Sequence, residues 1–452
     1  MVPAVLGVRE PVARRTYLAA GLALGGVKYL VDAAVIYAAT GHWVSPLLYL
    51  LPVAQLRFGG PSPSEGVLLG LLLWTLPFAW IGGTMSVRRA RDAGLPAPVG
   101  LLFYVPLVNY VAIAALALAP TRRAPSTALV PLQGVDRATW AALIGVGAGV
   151  TAGLAMTGLS VYVLGAYGAG LFVGAPVLMG GVASWLFNLR RPQGVLATLG
   201  VTSLTVGITG GLLLLFALEG ILCITMAAPI ALVLAGVGGL LGAALARVES
   251  RLAMSSFALV PAFAAVEPMA PPVRAVITTV DVAAPPEVVW ELVTAFPEIP
   301  APTPSLGTGS WWLDRGVAYP VRARIEGTGV GAVRYCEFST GPFVEPITTW
   351  DPPSATRPDG RLAFDVTGQP PVMTEWNPWH AVDAPHLQET LRSRRGEFLL
   401  TALPDGGTRL QGTTWYTIDM APQLYWTAWS DALIHDIHLR VLNHIAREAE
   451  RR

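Results

Sequence analysis

The sequence predicts a multi-span α-helical membrane domain followed by an α+β domain. Three observations carry this expectation. Only 13% of the 452 residues are charged and 53% are hydrophobic, against roughly 25% charged in an ordinary soluble domain. The deficit is uneven: residues 1–272 hold 15 Lys+Arg and 8 Asp+Glu, whereas residues 273–452 hold 15 and 21, so a net +7 is followed by a net −6. The apolar pattern also changes after residue 272, from long unbroken runs to short alternating ones.

A membrane-crossing helix needs roughly 20 mostly apolar residues. Seven runs meet this, at about 16–39, 66–87, 98–119, 139–163, 168–188, 196–218 and 221–246. The segment at 43–58 is too short to cross and is expected to be interfacial or re-entrant. Small residues are dense in "GVGAGVTAGLAMTG" and "AGVGGLLGAAL", as helix backbones that approach closely in lipid require. Ionisable residues inside a bilayer are costly and informative. Lys28 and Asp32 are four apart and can pair on one helix face. Glu219 ends the sixth run, where it is either an interfacial turn residue or a substrate or proton group. Arg122, Arg123 and Arg137, then Arg190 and Arg191, then Arg247 and Arg251 flank three loops that fall on one side. The excess of positive charge makes that side cytoplasmic, and with it the C-terminus, in a bacterial inner membrane. Arg88, Arg89 and Arg91 break the pattern.

The stretch "SVRRARDAGLPAPVGLLFYVPLVNYVAIAALALAP" resembles small three-span bacterial inner-membrane proteins of unknown function, whose motif is R-R-L-H-D-x-G. Arg88, Arg89, Asp92 and Gly94 match; Ala90 and Arg91 replace the leucine and the histidine. The resulting organisation is a three-span domain at 1–125, a four-span domain at 126–254, an Ala/Pro-rich linker at 255–272 and an α+β domain at 273–452.

In that last domain "VRAVITTVDVAA" alternates as a strand does. "PPEVVWELVTAF" is a helix opened by prolines. Strands are expected at 317–327, 331–340, 343–351, 361–369, 388–403 and 408–418, separated by Gly327/Gly329, Pro352/Pro353 and "PDGGT", with a long helix at about 421–450. The front "VDVAAPPEVVWELVTAFPEIP", the hairpin "GAVRYCEFSTG", the late strands "GEFLLTALPDGGTRLQGTTWY" and the end "YWTAWSDALIHDIHLRVLNHIAREAE" resemble the START-like, polyketide cyclase/dehydrase superfamily. The resemblance implies a helix-grip fold, a curved sheet around the long helix with an apolar cavity between them. Phe338, Phe364, Phe398, Trp415, Tyr416, Trp429 and His438 are its expected lining.

Three of the six histidines lie on the long helix. At 100° per residue, Ile434, Ile437, Val441 and Ile445 share the face toward the sheet, and His444 lies at its edge. Asp431, His435 and His438 share a flank at i, i+4 and i+7, so Asp431 is expected to orient His435. That stripe offers three donors, the minimum for a catalytic zinc, yet ligands strung along one helix converge poorly. The expectation is a flank hydrogen-bonded to sheet or loop groups, with no metal and no cofactor. His435, His438 and Glu375 are the acid–base candidates should the domain be an enzyme. Glu375, with His380, Asp383 and His386, is expected in a solvated loop. Cys223 and Cys336 lie in different regions and are not expected to pair. The acidic second part argues against nucleic acid as a partner. No G-x-S-x-G, P-loop, C-x-x-C or strand-linked G-x-G-x-x-G motif is present. The expected function is a membrane protein whose cytoplasmic domain binds an apolar small molecule, a lipid or isoprenoid. Its partners are then the bilayer and that molecule. The alternatives are a tethered cyclase or aromatase-type enzyme, and a structural or sensory protein that recruits a partner.

Overall fold

The computed structural model describes residues 10–50, 63–95, 97–104, 108–121, 137–247, 271–302, 312–313, 315–379, 384 and 386–452. Arg122, Arg123, Arg251, Trp311, His380, Asp383, the later half of the 43–58 segment and residues 255–270 of the expected linker lie outside them. The chain forms two compact units: residues 1–140 with 215–217, and residues 141–214 with 218–452.

Five described helices are long and apolar enough to cross a membrane: Arg14–Thr40, Ala138–Val163, Gly170–Asn188, Val195–Leu215 and Ile221–Leu245. The second expected run forms a helix, Glu65–Asp92. The third does not form one continuous helix. It divides into a 3-10 segment, Ala97–Tyr104, and a short helix, Val108–Leu118. Pro106 falls between them in sequence and has no N–H to continue a helical ladder.

In the first unit, α1 (Arg14–Thr40), α2 (Pro46–Tyr49), α3 (Glu65–Asp92) and α4 (Val108–Leu118) are the helices. Lys28 pairs with Asp32 as their spacing predicts. The Arg88–Gly94 motif has a mechanical role. Arg89, fully buried, donates from Nε to the Leu116 carbonyl at 3.0 Å and from a terminal nitrogen to Ala119 O. Arg14 Nε reaches Ala117 O at 2.9 Å. The last carbonyls of a helix have no intrahelical partner, and these arginines satisfy them at the end of α4. Asp92 holds Arg89 at 2.5 Å.

In the second unit, α5 (Arg137–Gly158), α6 (Ala175–Asn188), α7 (Val195–Leu215) and α8 (Ile221–Leu245) precede the sheet. Tyr167 lies between α5 and α6. α6 and α8 touch through backbone: a Cβ at Gly180 would meet Ala235 O at 1.9 Å, and one at Gly238 would meet Val177 O at 2.2 Å.

Seven antiparallel strands follow in the order β1-β7-β6-β5-β4-β3-β2. They are β1 (Arg274–Val282), β2 (Pro320–Glu326), β3 (Val333–Phe338), β4 (Gly341–Asp351), β5 (Gly360–Asp365), β6 (Leu391–Ala402) and β7 (Thr408–Ile418). Strands two to seven form a meander in which each strand pairs with the next, the longest connection being residues 366–390 between β5 and β6, and β1 adds to β7 from Arg274↔Tyr416 to Val282↔Thr408. Register shifts at Pro320/Arg322, Ile347/Thr349 and Ser393/Arg395 bend the sheet, as bulges do. The helices are α9 (Pro286–Thr294), α10 (His386–Glu389) and the long α11 (Gln423–Ala449). Trp290, Leu362, Leu400, Leu410, Val441, Leu442 and Ile445 form the main core between sheet and helices. Ile434, Val441 and Ile445 are buried as their shared face predicts. Ile437 is only half-buried and packs beside Leu433 and Leu387 in a smaller cluster.

Candidate functional site

The sheet does not close on α11 along its whole length. A cavity of about 480 Å³ remains, and its surface is mostly apolar. Phe338, Phe364, Phe398, Trp429 and His438 line it. Trp415 and Tyr416 do not. Side chains alternate across a strand, and Trp415 takes the opposite face, with the Arg395 guanidinium 4.7 Å above its ring. Tyr416 is fully buried, and its hydroxyl donates to Asp431 Oδ1 at 2.5 Å. The opposite wall comes from Phe172, in the π-helical segment Gly170–Gly174 before α6, and from Met179, Thr209, Leu213, Met226 and Ile230 on α6–α8, helices that sequence reasoning did not connect with this cavity. The two walls are tied together. Ala421 N donates to Tyr167 O at 3.1 Å, Tyr425 OH donates to Met226 O, and Phe172 packs edge-on against Trp426 at 4.7 Å.

The α11 histidines have specific partners. Thr278 Oγ1 lies 2.8 Å from His435 Nδ1 and 3.0 Å from His438 Nδ1, and Thr414 Oγ1 lies 2.8 Å from His438 Nε2. Thr278 has one hydroxyl proton, so one of the two rings must donate to it. Asp431 does not orient His435; its carboxylate accepts from Tyr416 and from Arg274 at 3.0 Å. His444 is buried against Pro297 O at 3.1 Å. Burial, reinforced by His435, pushes the His438 imidazole down to about 4. A histidine neutral when folded and protonated when unfolded stabilises fully above the ordinary value of 6.5. It loses that contribution as pH falls from 6.5 towards 4. Wild type is therefore expected to lose roughly 1–3 kcal/mol more than His438→Gln across that window. Denaturant midpoints of both proteins at pH 7.5 and 4.5 check this, and equal losses would refute it.

Glu375 is not in a solvated loop. It is buried, and its carboxylate accepts from Leu222 N at 3.0 Å and Cys223 N at 2.8 Å, while Ile221 N donates to Trp376 O at 2.9 Å. The first amides of α8 have no intrahelical partner, and a carboxylate there also meets the positive end of the helix dipole. Beside it lie Glu219, Cys223 and His386. Cys223 Sγ is 2.9 Å from His386 Nε2, and His386 Nδ1 is 3.8 Å from Glu219 Oε1. Burial and then Glu375 push the Glu219 carboxyl up to about 8, and burial pushes His386 down to about 4. Glu219 lies in the turn before α8 and Cys223 in the first turn of that helix, and their proximity to His386, 163 positions after Cys223, is set by tertiary packing.

A second polar feature lines the cavity on the sheet side. Arg334 and Glu345 face each other across β3 and β4 and form a buried ion pair. The Arg334 guanidinium carbon lies 5.4–5.7 Å from the ring centres of Phe398, Phe364 and Phe296. Burial raises the Glu345 carboxyl, and Arg334 opposes that shift.

No family model matches the chain, and no curated protein matches it. The resemblance of the N-terminal third therefore has no support from these comparisons. Among solved structures, a Nitrosospira multiformis protein from a structural genomics consortium is 16% identical over 40% of this chain and 100% of its own, with a TM-score of 0.24. The Zhui aromatase/cyclase of a Streptomyces species is 16% identical over 40% and 96%, with a TM-score of 0.26. The ginseng major latex-like protein 151 of Panax ginseng is 14% identical over 39% and 97%, with a TM-score of 0.24. The C-terminal part has the helix-grip architecture. That statement rests on the strand order and the long helix, and likenesses this remote add nothing about the site.

Proposed function

We propose that this chain is an integral membrane protein whose helix-grip domain binds an apolar small molecule, a lipid or an isoprenoid. The observation that carries this reading is the cavity, whose walls come both from the sheet with α11 and from apolar helices long enough to cross a bilayer. An apolar cavity with few polar groups is the usual form of a small-molecule site. Apolar side chains such as Leu22, Leu196 and Val233, 67–85% exposed on candidate spans, support insertion, because lipid is the solvent they suit. Tethering raises the effective concentration of the cavity at the bilayer, and a wall built from spanning helices favours exchange with the membrane. Arg190, Arg191 and Arg247 lie at the ends of α6, α7 and α8 remote from Tyr167, Leu222 and Cys223, against which the helix-grip domain packs, so the positive-inside rule favours the non-cytoplasmic side for that domain, against the cytoplasmic expectation. The cyclase-like alternative gains no support from His435, His438 or Glu375, which are engaged with threonines and with the α8 amides.

Native mass spectrometry of the full chain, released from detergent, tests the reading. One lipid-sized adduct per chain is expected, and Ile437→Trp, which fills the cavity from α11, is expected to reduce its occupancy. Absence of any adduct, together with no uptake of lipid from vesicles, would overturn the binding reading. A reporter fused after Arg452 that is active only in the cytoplasm would overturn this orientation.

A further inference from the structure

We propose that Glu219, Cys223 and His386 form a binding site for a divalent metal ion of the zinc class. One donor atom from each, a carboxylate oxygen, a thiol sulfur and an imidazole nitrogen, lies within 4.8 Å of the others. Two buried atoms at the site have no hydrogen-bond partner, His386 Nδ1 and Glu219 Oε2. His386 is 6% exposed. Leaving such atoms unsatisfied is unfavourable, and a cation would satisfy them. The charge balance points the same way. Glu219 and Glu375 both approach Cys223, and among the described residues no lysine or arginine pairs with either carboxylate.

The donor set selects the metal. Thiolate and imidazole suit zinc, cobalt and similar ions, whereas magnesium and calcium prefer oxygen-only sites. Binding replaces the Cys223 proton by a metal–sulfur bond and the proton of the Glu219 carboxyl by a metal–oxygen bond, and both protons are released to solvent. Three protein ligands leave one tetrahedral position open. All three side chains line the cavity, so the open position faces the space where a water or the polar end of a bound molecule would sit. Glu375 acts behind the ligands: its grip on the Leu222 and Cys223 amides sets the first turn of α8, which carries the sulfur. The site stands apart from the ligand-binding reading, because it needs no apolar ligand.

The test uses full-length protein made without a histidine tag, stripped with a chelator and titrated with Co²⁺. One equivalent is expected to bind, with d–d absorption in the red and a thiolate-to-cobalt band in the near ultraviolet. Cys223→Ser should abolish the thiolate band, and His386→Ala should weaken binding by more than the roughly 10–100-fold typical of outer-shell changes. Cys336→Ser should leave both unchanged, because Cys336 is buried inside the sheet core. A second readout needs no variant: Zn²⁺ should slow alkylation of Cys223 in the wild-type chain at least tenfold. Lack of both the thiolate band and protection by zinc would overturn the proposal, as would a band that survives Cys223→Ser.

Discussion

Removing one partner of the Arg334–Glu345 pair is expected to destabilise the C-terminal part by about 3–5 kcal/mol. Arg334 is 1% exposed and Glu345 6%, so neither charge has water to replace its partner. Glu345→Leu leaves a cation that cannot lose its proton among Phe296, Phe364 and Phe398. Arg334→Leu leaves a carboxyl that can escape only by staying protonated, so it should be the milder of the two. The double substitution Arg334→Leu/Glu345→Leu should recover most of the loss, because apolar replacement of both members of a buried pair is often neutral. Denaturant midpoints of the three variants, followed by tryptophan fluorescence, decide the matter. Single substitutions costing less than about 1 kcal/mol would mean that the pair is hydrated. The pair also lines the cavity, so the double variant should keep the fold while changing which molecules are retained.

The second large effect is expected at Gly180. Its place against Ala235 O leaves no room for any side chain, and the obstacle is backbone. Gly180→Leu should therefore exceed the roughly 1–3 kcal/mol of an overpacked core and separate α6 from α8. Gly147→Leu, on a helix face with nothing within 4 Å, provides the contrast and should change stability little. Thermal midpoints and elution profiles in detergent separate the two outcomes. Similar behaviour of both variants would show that the α6–α8 contact can relax.

Chain-local physics determined much of this protein. Alternation and turn residues placed the strands to within a few positions, since a strand with one buried face must alternate whatever surrounds it. The 3.6-residue period placed Ile434, Val441 and Ile445 in the core for the same reason, and the length and apolarity of five helices could be read directly. What failed depended on partners distant in sequence. Trp415 and Tyr416 are adjacent in a strand, so the pair cannot face one cavity, and neither points into this one. Glu375 reads as a solvated loop residue until the N-terminus of α8, some 150 positions earlier, supplies its amides. His438 takes its partners from β1 and β7. The meeting of Glu219 and Cys223 with His386, and of α6–α8 with the open side of the sheet, had no local signal at all. Burial in one segment is decided by the surface another segment brings to it, and only the folded chain contains both.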